Sequence, residues 1–311
     1  MSSAEVNLEK FLIPLEEFKR ATENFKSKYD YNSFYDFYKG QLSEEWHNRT
    51  SLIAFSKENH DPREELEIVS RFHHKNIIPF IGYCECEGNR MLFAYEYPTN
   101  GSLDRYLRTL RERHLLTWAK RLKICIGLAK GLNYLHSGGV IHRDLRDKHI
   151  FLDENLEPSI TGFHISVLVP GNQPHPQIYK PAPQLLSSFV KLYFDPIYQG
   201  SSILNTESDV YSYGMIMFQM LIVKDFYENN EVNRVRNCSD GKRWELMDRN
   251  IRHHIDRRSF NMFTDIAYKC ISFNIKDRPT MDEIVETLEE ALDIHIYRNK
   301  GKIAKYLGLE S

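Results

Sequence analysis

The sequence predicts an α+β fold of two lobes, a small and mostly β N-terminal lobe and a larger α-helical C-terminal lobe. Strand patterns dominate up to about residue 98, and helical periodicity dominates afterwards. The segment EYPTNGS at 96–102 separates them and has the composition of a connection. We therefore expect an N-terminal extension over 1–20, an N-lobe over 21–98, a C-lobe over 99–293 and a short basic tail over 294–311.

The elements of the N-lobe follow from local patterns. Residues 15–25 have helical apolar spacing, and 61–72 begin with Asp-Pro and then acidic residues, which is typical of a helix N-terminus. Strands are expected in four segments that are aromatic or β-branched and end at polar turns: 33–40, 51–56, 76–85 and 90–97.

Four helices are expected in the C-lobe. Residues 116–139 have a 3.6-residue apolar period and end in two glycines, which stop a helix. Residues 207–222 are apolar almost all round, as in a helix buried inside a lobe. The segments 257–271 and 280–292 are amphipathic.

The bulk composition excludes several classes of protein. A formal net charge of -2 and a pI near 6.7 give no electrostatic basis for binding nucleic acid. The five cysteines are scattered and odd in number, which favours reduced thiols inside the cell. No signal peptide, myristoylation site or membrane-spanning run is recognisable. We expect a cytoplasmic protein that reaches a membrane only through a partner and does not insert directly.

Long motifs place these elements in a known family. They are FKRATENF, HHKNIIPFIGYCECEGNRMLFAYEYPTNGSLDRYL, LTWAKRLKICIGLAKGLNYLHSGGVIHRDL, ESDVYSYG and KDRPTMDEIVETL. Together they resemble the plant receptor-like kinase family over about residues 15–293, and the missing membrane span resembles its cytoplasmic type. The resemblance implies a protein-kinase-like fold, with a five-stranded sheet and one helix above a helical lobe.

In that family a glycine-rich loop, a lysine and two metal ligands hold ATP and Mg²⁺. Aligned on the YKG at 38–40, the three loop glycine positions hold Asp30, Asn32 and Tyr35. Glycine is needed there because backbone must approach the phosphates closely, and a carboxylate repels them. We therefore expect that this loop does not cover a nucleotide.

The lysine of the third strand is also replaced. The family's V-A-I-K matches IAFS at 53–56, so Ser56 stands at the lysine position, and Lys57 is expected to face away from the cleft. Glu65, which would pair with that lysine, is retained either in a new pairing or as a solvated acid. Tyr95 occupies the gatekeeper position, and Tyr95 and Tyr35 are expected to fill the cleft.

Both metal-ligand positions are changed as well. The aspartate of the family's D-F-G corresponds to Gly162, and the asparagine five residues after the catalytic aspartate corresponds to His149. His164 replaces the last glycine of the triplet. Magnesium prefers oxygen ligands, whereas imidazole suits softer metals. We expect His149 to be packed or hydrogen-bonded, and we predict no metal site.

The H-R-D motif is retained as His142, Arg143 and Asp144, with Asp144 at the catalytic-base position. These residues also have structural roles in the family, so their retention is weak evidence for activity. Asp209 is expected to hold the backbone of this loop, and Arg146 stands where the family usually has lysine.

The activation segment departs from the family pattern too. It contains Pro170, Pro174, Pro176, Pro181, Pro183 and Pro196, which restrict the backbone. Ile197 replaces a glutamate that pairs with the arginine matching Arg278, so Arg278 must find another acceptor or reach water. Ser187 and Ser188 are either phosphorylation sites for another kinase or plain loop residues.

These substitutions together predict a catalytically inactive pseudokinase that binds ATP and Mg²⁺ weakly or not at all. It would act as an adaptor, scaffold or decoy in plant receptor-kinase and immune signalling. Active receptor-like kinases or nucleotide-binding leucine-rich-repeat immune receptors are the expected partners. One alternative is a low-activity Ser/Thr kinase with non-standard ATP and Mg²⁺ handling, using Asp144 and a cation such as Lys57 or Lys39. Another is a small-molecule-binding module, which requires a cavity in the cleft.

Overall fold

The computed structural model describes residues 6–109, 112, 114–169, 192–201, 204–222, 234–247, 249–252 and 254–306. Within them the helices are α1 (Leu15–Ala21), α2 (Arg63–Arg71), α3 (Leu103–Arg108), α4 (Trp118–Ser137), α5 (Pro196–Ser201), α6 (Thr206–Leu221), α7 (Arg249–Arg252), α8 (Arg257–Cys270) and α9 (Met281–Tyr306). The strands are β1 (Lys28–Tyr31), β2 (Tyr35–Gln41), β3 (Thr50–Ser56), β4 (Phe80–Cys86), β5 (Arg90–Glu96), β6 (Val140–Ile141), β7 (Ile150–Leu152), β8 (Pro158–Ile160) and β9 (Val167–Leu168).

The first five strands form one antiparallel sheet in the order β1-β2-β3-β5-β4. Its strands are rich in aromatic and β-branched residues, which fit a pleated surface buried on one side. The helix α2 lies against the segments around 163–168 of the C-lobe, so it connects the sheet to the lower lobe. The predicted two-lobed α+β fold, with its β-sheet N-lobe and helical C-lobe, is confirmed.

The ends of the N-lobe and C-lobe differ from the expected boundaries. Ile13 and Phe18 are buried in a hydrophobic cluster with residues of β2, β3 and β5, so part of the expected extension packs on the sheet. The last helix, α9, continues past residue 293 to Tyr306. A packing contact therefore crosses the expected boundary at residue 20, and a continuous helix crosses the one at residue 293, because both boundaries were predicted from composition alone.

The core of the C-lobe is formed by α4, α6, α8 and α9. The side chain of Thr117 caps α4 and that of Asn205 caps α6, which satisfies backbone N–H groups at their first turns. Every residue of α6 from Ser208 to Leu221 is buried, as its apolar sequence predicts. In the described part of the chain no helix has the length and apolar character needed to cross a membrane, and the five cysteines are free.

Two short antiparallel pairs, β6–β9 and β7–β8, frame the catalytic-loop segment at the top of the C-lobe. The 3₁₀ turn Asp147–His149 directly precedes β7, and the 3₁₀ turn Phe163–Ile165 lies between β8 and β9. Together they bring the H-R-D segment next to the G-F-H triplet, below the sheet.

Candidate active site

The backbone of the catalytic loop is held from below by Asp209. One carboxylate oxygen accepts from the backbone N–H of His142 at 2.7 Å, and the other accepts from that of Arg143 at 2.8 Å. The imidazole of His136 lies 3.0 Å from the same carboxylate. Arg143 has a φ of 70°, a conformation that a side chain makes unfavourable. The two hydrogen bonds to Asp209 stabilise that conformation.

The side chains of His142 and Arg143 connect this loop to the triplet segment. His142 Nε2 lies 2.9 Å from the carbonyl oxygen of Thr161, and Arg143 Nη1 donates to the carbonyl oxygen of Ile165 at 2.8 Å. Burial lowers the pKa of His142. Both side chains are therefore parts of the framework that positions Asp144.

Asp144 is buried and lies among three basic side chains. Arg146 Nε donates to Oδ1 at 3.0 Å, while His149 Nδ1 and His164 Nε2 each lie 3.3 Å from Oδ2. Burial opposes ionisation of this carboxyl, but the contacts with His149, His164 and Arg146 outweigh it and hold its pKa well below the usual range. Asp144 is a carboxylate at all ordinary pH values.

His149 is packed and hydrogen-bonded. Its Nδ1 lies 2.8 Å from the carbonyl oxygen of Asp144, and its Nε2 lies 3.0 Å from Arg146 Nη2. Its ring lies against Gly162, where a Cβ would stand only 2.6 Å from His149 Cγ. Gly162 also has a φ of 88°, which disfavours a side chain. The replacements at 149 and 162 are therefore sterically coupled, because the histidine ring fills space that a side chain at 162 would need.

Glu65 of α2 has a new pairing in place of a lysine. Tyr35 donates its hydroxyl to Oε2 at 2.7 Å, and Tyr95 donates to Oε1 at 2.8 Å. His60 Nε2 lies 3.1 Å from the Tyr35 hydroxyl. Burial raises the pKa of Glu65, and it raises the pKa of both tyrosines well above the ordinary value. The hydroxyl groups of two tyrosines thus provide hydrogen-bond donors for the Glu65 carboxyl. The sequence analysis left open whether this carboxyl has a new partner or is solvated, and the structure shows a new partner.

Ser56 is buried, and its hydroxyl accepts from the backbone N–H of Met91 at 2.8 Å. The register of β3 is continuous up to Ser56, so no bulge turns Lys57 toward the cleft. Lys57 Nζ donates instead to the carbonyl oxygen of Asn32 at 2.6 Å, and Lys39 lies over the ring of Tyr97 at 4.5 Å. Neither lysine lies where the family's lysine would be.

The segment between β1 and β2 is a tight turn. Asn32 Oδ1 accepts from the backbone N–H groups of Phe34 at 2.8 Å and Tyr35 at 2.7 Å. Asp30 is exposed and lines the cleft. The ring of Phe34 packs on His164, with centroids 4.4 Å apart, and so covers the triplet from above.

A cavity of about 450 Å³ remains in front of this network, between the two lobes. Tyr35, Tyr95 and Glu65 line its N-lobe side, and Gly162 and His164 line its C-lobe side. The two tyrosines fill only the back of the cleft, so the expectation that they fill it holds in part. Three cationic side chains also line this cavity: Arg105, Arg146 and Lys148.

Arg278 finds its acceptor in Asp195, two residues before Ile197. Its Nη1 and Nη2 donate to the two carboxylate oxygens at 2.6 and 2.9 Å, and both side chains are almost fully buried. The sequence pattern did not reveal this partner, although FDPIY contains it. Pro170, Pro174, Pro176, Pro181, Pro183, Ser187 and Ser188 lie outside the described residues.

Three further contacts were not predicted: the packing of Phe34 on His164, the contact of His60 with Tyr35, and the exclusion between His149 and Gly162. The only signal for the last of these is the simultaneous change of both family positions. Lys148 and Arg105 have no local motif that marks them as cleft residues.

Comparison with known proteins identifies the domain. Residues 33–288 match the protein tyrosine and serine/threonine kinase family. The chain is 32% identical to the Arabidopsis thaliana receptor-like protein kinase HERK 1 over 308 residues, which cover 91% of the chain and 35% of that relative. It is 32% identical to ANXUR2 from the same plant over 305 residues, covering 90% and 33%. A probable LRR receptor-like serine/threonine-protein kinase is also 32% identical, covering 94% and 32%. The chain spans about a third of the length of these curated relatives.

The residues in the cleft do not fit the family's usual magnesium–ATP arrangement. Ser56 supplies no ammonium group, and Gly162 supplies no side chain. The place of the asparagine oxygen is taken by the imidazole of His149, and no side chain fits at 162 beside it. If this domain binds ATP and a metal ion in the cleft, it must hold them with other groups than the family's usual ones.

Two expectations are nevertheless wrong. The prediction that the protein is not an enzyme is contradicted by its kinase domain and by relatives that are named serine/threonine receptor-like protein kinases. The prediction of no cofactor is contradicted too, because kinase domains of this kind use ATP and Mg²⁺. The matched residues and the observed two-lobed architecture show that this chain belongs to the protein tyrosine and serine/threonine kinase family and is homologous to the kinase domains of Arabidopsis receptor-like protein kinases.

Proposed function

We propose that the chain is a serine/threonine protein kinase of low rate that holds ATP and its metal in a non-standard way and acts in plant receptor-kinase signalling. The observation that carries this proposal is the open cavity of about 450 Å³ between the lobes, next to a catalytic loop anchored by Asp209. Arg105, Arg146 and Lys148 line this cavity together with the acidic Asp30 and Asp104. Arg105 is paired with Glu112 and Arg146 with Asp144, so an anionic ligand would contact Lys148 and compete with these carboxylates for the two arginines.

In the proposed reaction the γ-phosphoryl group passes from ATP to a substrate hydroxyl. The bond from γ-phosphorus to the bridging oxygen breaks with release of ADP, a new P–O bond forms, and the hydroxyl proton goes to a carboxylate or to solvent. Asp144 has a pKa well below the usual range, which makes it a weak proton acceptor and an orienting hydrogen-bond acceptor. The contacts of its Oδ2 with His149 and His164 also restrict access, and both effects account for a low rate.

The test is phosphotransfer from labelled ATP to a generic serine/threonine substrate. We expect a slow incorporation by the full chain that Asp144→Asn reduces at least about tenfold, and Glu87→Gln, on an exposed turn far from the cleft, serves as the matched control. Equal incorporation by wild type and Asp144→Asn, or none by either, would exclude this function.

We also propose that the domain binds other signalling proteins, with active receptor-like kinases or nucleotide-binding leucine-rich-repeat immune receptors as partners. The contacts of Glu65 support this role, because Tyr35 and Tyr95 fix α2 on the sheet with groups of the protein itself. The helix α2 also contacts the C-lobe around 163–168, so fixing α2 on the sheet keeps the surface where the two lobes meet constant. The proposed location is the cytoplasm, with recruitment to a membrane through such a partner.

This second role is tested by affinity purification of the intact protein from its source tissue, with identification of the partners. We expect to recover a receptor-like kinase or an immune receptor. This partner should still bind the Tyr35→Phe variant, in which Tyr95 keeps α2 in place. It should be lost when both tyrosines are changed to phenylalanine. A fluorescent fusion gives the location. Recovery of neither class of partner would contradict the proposal.

A further inference from the structure

Three metal-ligating side chains converge below the cavity between the lobes. One oxygen of Asp144 and one ring nitrogen each of His149 and His164 all lie within 4.8 Å of one another. His149 and His164 line the cavity, so an ion from solvent can reach them. This is a two-histidine, one-carboxylate set, a combination that binds zinc and other divalent transition metals.

The distances suit a small metal ion. Asp144 Oδ2 lies 3.3 Å from His149 Nδ1 and 3.3 Å from His164 Nε2. A tetrahedral zinc ion with bonds of about 2.0 Å separates its ligand atoms by about 3.3 Å. The two imidazole planes are nearly perpendicular, at 85°, with centroids 5.3 Å apart, so the rings do not stack on each other.

The surroundings hold these ligands in place. The ring of His149 packs against Gly162, and Phe34 packs on His164. Arg146 Nε donates to Asp144 Oδ1, which turns Oδ2 toward the two imidazoles. Hydrogen bonds of this kind commonly orient the ligands of a metal.

Arg146 is also a competitor for the site. Its Nη2 lies 3.0 Å from His149 Nε2, which therefore acts as the acceptor. A metal bound to His149 Nε2 uses the lone pair that accepts from Arg146. A metal bound to Nδ1 requires the ring proton to move to Nε2, which can then no longer accept. In both cases the hydrogen bond between Arg146 and His149 is lost. Arg146 lines the cavity and has room to move into it.

We propose that Asp144, His149 and His164 form a binding site for one divalent transition-metal ion of the zinc type, with Arg146 as the internal cation that occupies the site when the metal is absent. Its remaining coordination positions face the cavity. The proposal does not rest on phosphotransfer, since metal binding is measured without ATP or substrate.

The test uses the full chain after treatment with EDTA, titrated with Co²⁺ and followed by its visible absorption, with Zn²⁺ as the displacing ion. We expect one equivalent of Co²⁺, displaced by Zn²⁺ and not by Mg²⁺. His164→Gln and His149→Asn weaken Co²⁺ binding at least about tenfold. Arg146→Met strengthens it, because it removes the competing cation. His254→Gln changes an exposed histidine of the C-lobe and is the control.

Circular dichroism and metal-free thermal unfolding establish that each variant is folded. A change in Co²⁺ affinity of less than twofold in both histidine variants, or weaker binding by a folded Arg146→Met, would overturn the proposal. A wild-type chain that binds no Co²⁺ would overturn it as well.

Discussion

Glu65 on α2 and Asp144 in the catalytic loop are both buried carboxyl groups, each 6% exposed, near opposite walls of one cavity. The donors around them differ. Glu65 accepts from two neutral phenols, whereas Asp144 faces a guanidinium and two imidazoles. Accordingly the pKa of Glu65 is raised by burial, while basic neighbours outweigh burial at Asp144 and lower its pKa.

The two walls of the cavity have therefore lost their usual ATP contacts in different ways. In the N-lobe the place of a lysine partner is taken by uncharged groups, which need no counter-charge. In the C-lobe the carboxylate keeps its charge, and basic residues have gathered around it. Five experiments follow, in order of decreasing expected effect.

The largest effect is expected from restoring a carboxylate beside Asp144. Gly162→Asp should cost about 2–4 kcal/mol of unfolding free energy, from a positive φ and from the contact of its Cβ with His149. Urea denaturation measures it. Gly88→Asp is the matched control, because Gly88 has a φ of 74° and no neighbour within 4 Å, so it reports backbone strain alone.

The double variant His149→Asn/Gly162→Asp should recover the part of this loss that comes from the clash. It also restores two oxygen ligands, so we expect Mg²⁺ to raise the melting temperature measured with ATP more in the double variant than in the wild type. Equal stability of the single and double variants would show that the two positions are not coupled.

Removal of both phenols tests the Glu65 side of the comparison. Tyr35→Phe/Tyr95→Phe leaves a buried carboxyl without these donors and should cost about 2–3 kcal/mol at pH 8. The pKa of Glu65, already raised by burial, should rise further, so the folded chain binds more protons than the unfolded one above pH 4.5 and stability falls as pH rises. The loss should be smaller at pH 5.5, whereas Tyr134→Phe at the surface should show neither effect.

Asp144→Asn should give a smaller loss, about 1–2 kcal/mol, that is nearly constant between pH 5.5 and 8 when EDTA is present. The reason is that the pKa of Asp144 lies well below this range, so its contribution is present above the unfolded value and is lost only at lower pH. A loss that varies with pH as steeply as that of the tyrosine double variant would remove the contrast between the two carboxyls.

The smallest effect concerns His60, which faces the Tyr35 hydroxyl, Asp61 and His164. Burial, helped by the charge of His164, lowers the pKa of His60 from 6.5 to about 4. Between these values the unfolded chain binds more protons, so stability falls as pH decreases from about 6.5 toward 4. His60→Gln should make melting temperature less dependent on pH in this range, and an unchanged slope would contradict the prediction.

Sequence reasoning predicts the lobes, the sheet and the long helices because each depends on a local period of apolar residues. It also identifies Asp144 and the replaced positions, since these lie in motifs. It leaves the partner of Glu65 open and misses Asp195 as the acceptor of Arg278, because both contacts join segments far apart in the chain. Nor does a sequence motif reveal that the ring of His149 excludes a side chain at 162.

The attachment of the His142 and Arg143 backbone to Asp209 has a consequence for engineering this domain. Because a buried residue of another helix sets the shape of the loop, the side chains above it can be exchanged without redesigning its path. A combinatorial library at 149 and 164, with glycine kept at 162, should therefore retain many folded members. Such a library offers a route to select new ligands for an existing kinase fold.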